Sequence, residues 1–326
     1  MELSILIPAR NEEFLARTIQ DILEHIEADT EVIAVLDGEW ACPAIPQHER
    51  VNVIYVPEAV GQRAGQNLAC RLAKGRFVMK VDAHCSFDQG FDRKMIEFFK
   101  EHGDDITAVP IMKNLVAFNW KCFHCGKKWY QDVDVENCDQ CHKGDKIRKK
   151  MIWQPRRGTR STSYCFNAEP RFMYFQEYKQ RPEYLESKAK GYTETMSLQG
   201  SCWMATREKY WEIDLGGEEF GNWGNQGLQI ACATWLSGGR VLVNHNTWYA
   251  HLFRTKQNFG FPWPASGRDQ QKVKQRVKDK FWDMKNPKQI RPVSWLVRRF
   301  WKVPGWTEED LKKLEEYEVS KRPQDK

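Results

Sequence analysis

An α/β fold built on a mostly parallel sheet with helices on both faces is the class this sequence predicts, on three observations. Short apolar runs alternate with amphipathic stretches through the first hundred residues, the β-α-β-α rhythm of parallel sheets. Pro8, Asp37 and Asp82 each stand at the end of an apolar run, where ligands bind in such sheets. And 326 residues that are 41% apolar, with 14 Trp, 17 Phe and 10 Tyr, can bury a large core, which excludes whole-chain disorder.

The elements follow in order. Ser4–Pro8 (SILIP) reads as a buried strand. From Asn11 to Ile26, Leu15, Ile19, Ile22, Leu23 and Ile26 share one helical face. Glu31–Asp37 and Asn52–Val56 read as strands, 64–74 as a helix stopped by Gly75, and Arg76–Asp82 as a fourth strand. Between 120 and 160 the rhythm breaks, which predicts an insertion. A second α/β stretch follows: strand Ser197–Thr206, helix Asn225–Leu236 and strand Arg240–Asn244. Thr307 caps a last helix that has acids in its first turn. The expected units are therefore 1–119, the insertion at 120–160, 161–259, and a basic, aromatic-rich extension at 260–326.

Mean hydropathy is −0.68, and no apolar run reaches the roughly 18 residues of a membrane helix. MELSILIPARNEE enters a strand at once, without a basic leader, so the expectation is a protein of the cytoplasm. Ten cysteines in such a chain favour metal over disulfides. Cys122, Cys125, Cys138 and Cys141 form CxxC-x12-CxxC, the spacing of a zinc ribbon: four thiolates close a tetrahedral Zn²⁺ site with no open position, which staples a small insertion rather than catalysing. His124 and His142 lie near enough to substitute for a thiolate. Cys42, Cys70, Cys85, Cys165, Cys202 and Cys232 read as small buried apolar residues.

Net charge is +6, concentrated in two segments: 142–160 carry eight Lys/Arg against one Asp, and 268–302 carry twelve against three. The second, with Trp306 just beyond it, mixes cations with Phe281, Trp282, Trp295, Phe300 and Trp301. Cations for phosphates and aromatics for stacking are a nucleic-acid pattern; a membrane surface or an acidic glycan fits the same composition.

The chemistry centres on KVDAHCSFDQGF. Asp82 ends an apolar strand and His84 follows two positions on, where the chain leaves its alternating geometry and both side chains can reach one Mn²⁺ or Mg²⁺ ion. Around it, in order, stand Ser4-Ile-Leu-Ile-Pro-Ala-Arg-Asn-Glu-Glu, Val35-Leu-Asp-Gly, Gly61-Gln-Arg-Ala-Gly-Gln-Asn, Phe220-Gly-Asn-Trp-Gly-Asn-Gln-Gly-Leu-Gln, Trp235-Leu-Ser-Gly-Gly-Arg-Val and His251-Leu-Phe-Arg. This set resembles the GT-A glycosyltransferases of family 2. Within that superfamily it is similar to the polypeptide N-acetylgalactosaminyltransferases, which carry Asp-x-His rather than Asp-x-Asp. The likeness covers about 1–110 and 196–256.

The resemblance implies a UDP-sugar donor and roles by position. Pro8, Arg10, Glu12, Arg63 and Trp223 lie at the nucleotide site, and Asp37 lies near the nucleobase. Asp82, His84 and His251 hold the catalytic metal, and Arg254 helps neutralise the leaving diphosphate. One position departs from the pattern: Gln226 stands where the relatives have an acid, and an amide cannot act as a base. Either Glu218 or Glu219 supplies the carboxylate, or the leaving phosphate takes the acceptor proton. With its ribbon and cationic segments, the chain is expected to glycosylate a hydroxymethylated pyrimidine in DNA, as in phage DNA modification in a host cytoplasm. Protein Ser/Thr or a glycan is the alternative acceptor, and a non-catalytic zinc-ribbon nucleic-acid binder is the alternative to an enzyme.

Overall fold

The structure, a computed structural model, describes residues 1–133, 135–254, 260–261 and 267–321. In chain order the described elements are β1 (Leu3–Ala9), α1 (Leu15–His25), β2 (Thr30–Asp37), β3 (Val51–Val56), α2 (Gln62–Leu72), β4 (Phe77–Val81), β5 (Cys85–Phe87), α3 (Phe91–His102), β6 (Ile106–Cys122), β7 (Lys128–Tyr130), β8 (Ile147–Pro155), β9 (Tyr164–Phe166), β10 (Phe172–Tyr174), α4 (Pro182–Ala189), β11 (Tyr192–Glu194), β12 (Cys202–Thr206), α5 (Arg207–Glu212), α6 (Gln226–Leu236), β13 (Arg240–His251), α7 (Gly267–Val277), α8 (Val293–Arg299) and α9 (Glu308–Lys321).

The main sheet runs β11-β13-β6-β12-β4-β1-β2-β3. β1 pairs in parallel with β2 and β4, β2 with β3, and β13 with β6, while β12 is antiparallel to both β4 and β6. The reversed β12 therefore joins two parallel halves that point the same way, and β11 is a second reversed strand, antiparallel to β13 at the edge. The carboxyl ends of β1, β2, β4 and β13 gather on one edge.

Two-sided burial explains the continuous apolar runs. Leu3, Ile5 and Ile7 of β1 and Val32, Ala34 and Leu36 of β2 enter one core with α1 and α3, and the alternating Leu6, Ile33 and Val35 enter the other with α2 and α6. β3 lies at the edge and leaves Val53 and Tyr55 exposed. No helix among the described residues is long and apolar enough to cross a membrane.

Several expectations need correcting. The first helix begins at Leu15, not Asn11, because Asn11 adopts a left-handed φ of 49° and Glu12 turns its carboxylate inward. The second ends at Leu72 with Ala73 extended, so Gly75 is not its stop. A Cβ at Gly75 would meet the Ser4 backbone nitrogen at 2.6 Å: the residue is small because the chain crosses β1 closely. The strand expected from Ser197 starts at Cys202, and 197–201 form a loop.

The boundary expected at 119/120 falls inside β6, which runs unbroken from the central sheet into a hairpin with β7 and β8. Residue 134 of the expected insertion, and 262–266 and 322–326 of the expected extension, lie outside the described residues.

The extension is not an exposed aromatic strip. Phe281, Trp282, Phe300 and Trp306 are buried in the core that packs on α6, and Trp295 and Trp301 lean on it. The Trp306 indole N–H donates to the Phe166 carbonyl at 2.8 Å. Many of the cations are paired as well: Arg298 with Glu315, Arg299 with Glu194, and Lys280 with Asp214. As expected, Thr307 caps α9, its hydroxyl accepting from the Asp310 N–H. Cys42 is exposed, contrary to its apolar reading; the other five unclustered cysteines are buried.

Candidate functional site

A cavity of about 500 Å³ opens on the carboxyl edge of the sheet. Its floor is where β1, β2, β4 and β13 end, and its far wall is the loop before α6 with residues 198–201. Asp82 leaves β4 and His251 ends β13, so two strands distant in sequence bring them side by side. The His251 Nε2 lies 3.2 Å from Asp82 Oδ2 and 3.1 Å from the His84 Nε2.

Glu12 sets the orientation of this group. Its carboxylate accepts the His84 Nδ1–H at 2.9 Å, which leaves the His84 Nε2 lone pair facing the cavity. The same carboxylate receives Arg254 Nε at 3.1 Å and Nη2 at 2.5 Å, and the Phe14 N–H at 3.1 Å. Burial works to raise the Glu12 carboxyl, but His84 and Arg254 outweigh it and hold it below its ordinary value. Asp82 behaves alike: burial opposes its charge, yet Lys80, His251 and His84 keep it well below the usual carboxylate range. His251 is pushed down to about 4, chiefly by burial and against the pull of Asp82, so its ring is neutral at physiological pH.

This donor set fits a hard divalent cation. One carboxylate and two imidazoles, one of them backed by a second carboxylate, hold their ligand atoms within 4.8 Å of one another. The spacings of 3.1 and 3.2 Å match the roughly 3 Å between adjacent donors around an octahedral ion with bonds near 2.1 Å. The buried His251 Nδ1 has no hydrogen-bond partner, consistent with a ring oriented by its other nitrogen.

Three further residues line the floor without having been singled out from sequence. The Lys80 ammonium, fully buried, contacts Asp82 Oδ1 and donates to the Gly200 carbonyl at 2.7 Å. Gln62 bridges Asp82 and Gln226, its Nε2 3.4 Å from an oxygen of each. Phe172 closes one side. Lys80 was visible as a lone charge in FVMKV, an otherwise apolar buried run.

The other predicted residues divide. Pro8, Arg10, Asp37, Trp223 and Gln226 line the cavity. Asp37 accepts the Val60 and Gly61 N–H groups at 2.6 and 3.0 Å and so shapes the loop ahead of α2. The Trp223 ring lies 5.7 Å from that of Phe261. Gln226 begins α6 and donates to Gln66 Oε1 at 2.8 Å; Gln66 in turn donates to the Tyr210 hydroxyl at 2.9 Å.

Two expectations fail on geometry. Arg63 is buried outside the cavity, where its guanidinium donates to the Gly221 and Gly224 carbonyls at 2.8 and 2.6 Å and braces the loop from behind. Glu219 faces away and pairs with Lys280 of the extension, and neither it nor Glu218 lines the cavity.

The cysteines gather separately at the tip of the β6–β8 hairpin. All four Sγ atoms lie within 4.8 Å of one another, with Cys122···Cys141 and Cys125···Cys138 at 3.5 Å. Four thiolates on one zinc with bonds near 2.3 Å would sit about 3.8 Å apart. The two pairs share one local turn: the Gly126 N–H donates to the Cys122 carbonyl and the His142 N–H to the Cys138 carbonyl, with both donors at left-handed φ. His124 and His142 are not in the cluster.

A sequence profile of the glycosyl transferase family 2 matches residues 4–124. That stretch is similar to the family 2 glycosyl transferases. It is 20% identical over 283 residues, 81% of its length, to a putative polypeptide N-acetylgalactosaminyltransferase 13 of Drosophila melanogaster, of which the match covers 44%. Its fold is similar to that of GalNAc-T7, solved with UDP, GalNAc and Mn²⁺: the TM-score is 0.61 at 16% identity, covering 98% of this chain and 55% of that one. The chain thus spans about half the length of these relatives. The chain has the GT-A fold, and the cavity lies at the carboxyl edge of its sheet.

Proposed function

We propose that the chain is a metal-dependent glycosyltransferase that moves a sugar from a UDP-type nucleotide sugar to a hydroxyl. The observation that carries this reading is the convergence of Asp82, His84 and His251 on the cavity floor. Those three side chains would hold Mn²⁺ or Mg²⁺, which when bound supplies positive charge to a departing diphosphate.

The protein's own groups do the rest. Glu12 fixes the His84 tautomer and the Arg254 guanidinium, and Lys80 keeps Asp82 ionised. Pro8, Arg10, Asp37 and Trp223 frame the nucleotide. In the transfer, the acceptor oxygen bonds to the anomeric carbon as the bond from that carbon to the diphosphate oxygen breaks. The electron pair leaves with the diphosphate, and the acceptor proton goes there too. This assignment is supported by the cavity's carboxylates among the described residues: Glu12, Asp37 and Asp82 are each committed to other partners, and Gln226 is an amide. The ribbon cysteines Cys122, Cys125, Cys138 and Cys141 would hold one structural Zn²⁺.

For the acceptor, the favoured reading is a hydroxymethylated pyrimidine in DNA. Its support is now the hairpin alone, since Phe281, Trp282, Phe300 and Trp306 are buried and Trp295 and Trp301 pack against the same core. Arg148, Lys149 and Lys150 are exposed on β8. A small core of Phe14, Leu115, Phe118, Trp153 and Leu252 fixes the base of that hairpin beside the metal-site residues. Likeness to a polypeptide N-acetylgalactosaminyltransferase favours a protein Ser/Thr instead. The test is nucleotide release from UDP-sugars with and without Mn²⁺, offered 5-hydroxymethylcytosine DNA or Ser/Thr peptides, with products weighed by mass spectrometry. A hexose-sized mass gain on the DNA nucleoside supports the proposal, and a gain on peptide moves the acceptor. Donor turnover indifferent to Mn²⁺ or surviving Asp82→Ala contradicts the reading.

A further inference from the structure

A second cavity, of about 210 Å³, opens at the opposite edge of the sheet. Arg240 at the start of β13 pairs in register with Ile106, whereas His251 at its end pairs with Asn114, so the eight steps of β6 between them, roughly 26 Å, separate this cavity from the first. Its walls come from two parts of the chain: Ile106, Arg240 and Trp235 from the sheet and α6, and Arg291, Trp295 and Arg299 from the extension.

Three guanidiniums converge there. Arg291 lies 4.3 Å from the Trp295 ring centroid and donates one N–H to the Trp235 carbonyl at 3.3 Å. Arg240 donates one N–H to the His102 carbonyl at 3.1 Å. Arg299, 5.8 Å from the same Trp295 ring, is held by both oxygens of Glu194. The one carboxylate lining the cavity, Asp105, pairs with Lys209 at 2.7 Å. Arg240 and Arg291 are therefore half-buried cations with no ion-pair partner among the described residues, and each has most of its five N–H donors unspent. Partly desolvated guanidiniums without a counter-charge are unfavourable, and their forked donors match the oxygens of a tetrahedral anion.

We propose that this cavity is a second binding site, for a phosphate-class oxyanion held between Arg240 and Arg291 against the Trp295 indole. The site is independent of the chemistry at the first cavity. Free phosphate and the backbone phosphate of a nucleic acid share the recognised group.

The test is calorimetric titration of the full chain with inorganic phosphate, at constant ionic strength and with EDTA present. Wild type should bind saturably at one site. Arg240→Gln/Arg291→Gln should bind about tenfold more weakly or worse, and Asp82→Asn should match wild type. If the double variant does not fold, Arg291→Lys serves: it keeps charge but loses the fork, and its expected loss is severalfold. A phosphate-soaked wild-type crystal should show density between the two guanidiniums. A short oligonucleotide identifies the source: a parallel loss in the double variant points to a polymer backbone, and a loss confined to inorganic phosphate points to the free anion. Absence of saturable phosphate binding by wild type, equal affinity in the double variant, or an equal loss in Asp82→Asn overturns the proposal.

Discussion

At Gln226 the missing acid and the local bonding meet. Its amide joins Gln62, Gln66 and Tyr210 in one chain of hydrogen bonds, with an amide oxygen and an amide N–H both engaged. A carboxylate there would lose the bond to Gln66 Oε1 and place a second negative charge near Asp82. Gln226→Glu should therefore lower the initial rate of nucleotide release about tenfold; a rate increase would show that the site lacks only a base.

His245 makes a second residue-scale prediction. Arg160 donates to its Nδ1 at 3.1 Å, which leaves the Nε2–H to donate to the Thr193 hydroxyl at 2.9 Å. Burial, then Arg160, Lys188 and Lys179, lower its pKa from 6.5 to about 4. The unfolded chain takes up this proton below pH 6.5 and the folded chain does not. The contribution is thus present above that pH and is lost as pH falls toward 4, by about 2 kcal/mol between pH 7.5 and 5. Denaturant melts of His245→Asn against wild type should show the shallower pH slope in the variant, and parallel slopes would contradict the assignment.

Residue by residue, legibility followed the backbone. Asp82, His84 and Asp37 end or follow strands, and a strand end puts its residues at the cavity edge once the sheet is known. Arg63 and Glu219 belong to the same motifs, but their direction depends on neighbours far along the chain, Gly221 and Gly224 for one and Lys280 for the other.

Among the elements, strands buried on both faces were plain in sequence because their apolar runs are continuous, as in β1 and β2. The length of β6 was not: its outer half, from Leu115, mixes half-buried and buried residues without a regular period and is ordered by β8 rather than by the main sheet. The hairpin tip has little apolar core, and on the proposed reading a zinc held by the cysteine cluster would staple it. One zinc per chain is expected by colorimetric release with a thiol-blocking mercurial, falling well below one in Cys138→Ser. Chelation should open 123–146 to proteolysis while the main thermal transition of the sheet persists. A metal-free chain with an equally protected hairpin would contradict a zinc staple.

Across the whole molecule, charge runs proved poor guides to surface function. The C-terminal run builds a structural layer on α6, its indoles inward and many of its cations paired, so composition could not separate packing from recognition. The β8 cations remain exposed. If DNA is the acceptor, Arg148→Ala/Lys150→Ala should reduce the slope of log affinity against log salt by about 2, while weakening binding evenly across sequences. An unchanged slope would remove this face from the acceptor path.

Anomalous diffraction from crystals grown with UDP and Mn²⁺ is the most direct test of the proposed chemistry. The expected result is one manganese peak in the large cavity, bonded to an Asp82 oxygen and to Nε2 of both His84 and His251, with the diphosphate on its open side. A manganese bound elsewhere in that cavity, or UDP bound with those three side chains turned apart, would contradict it.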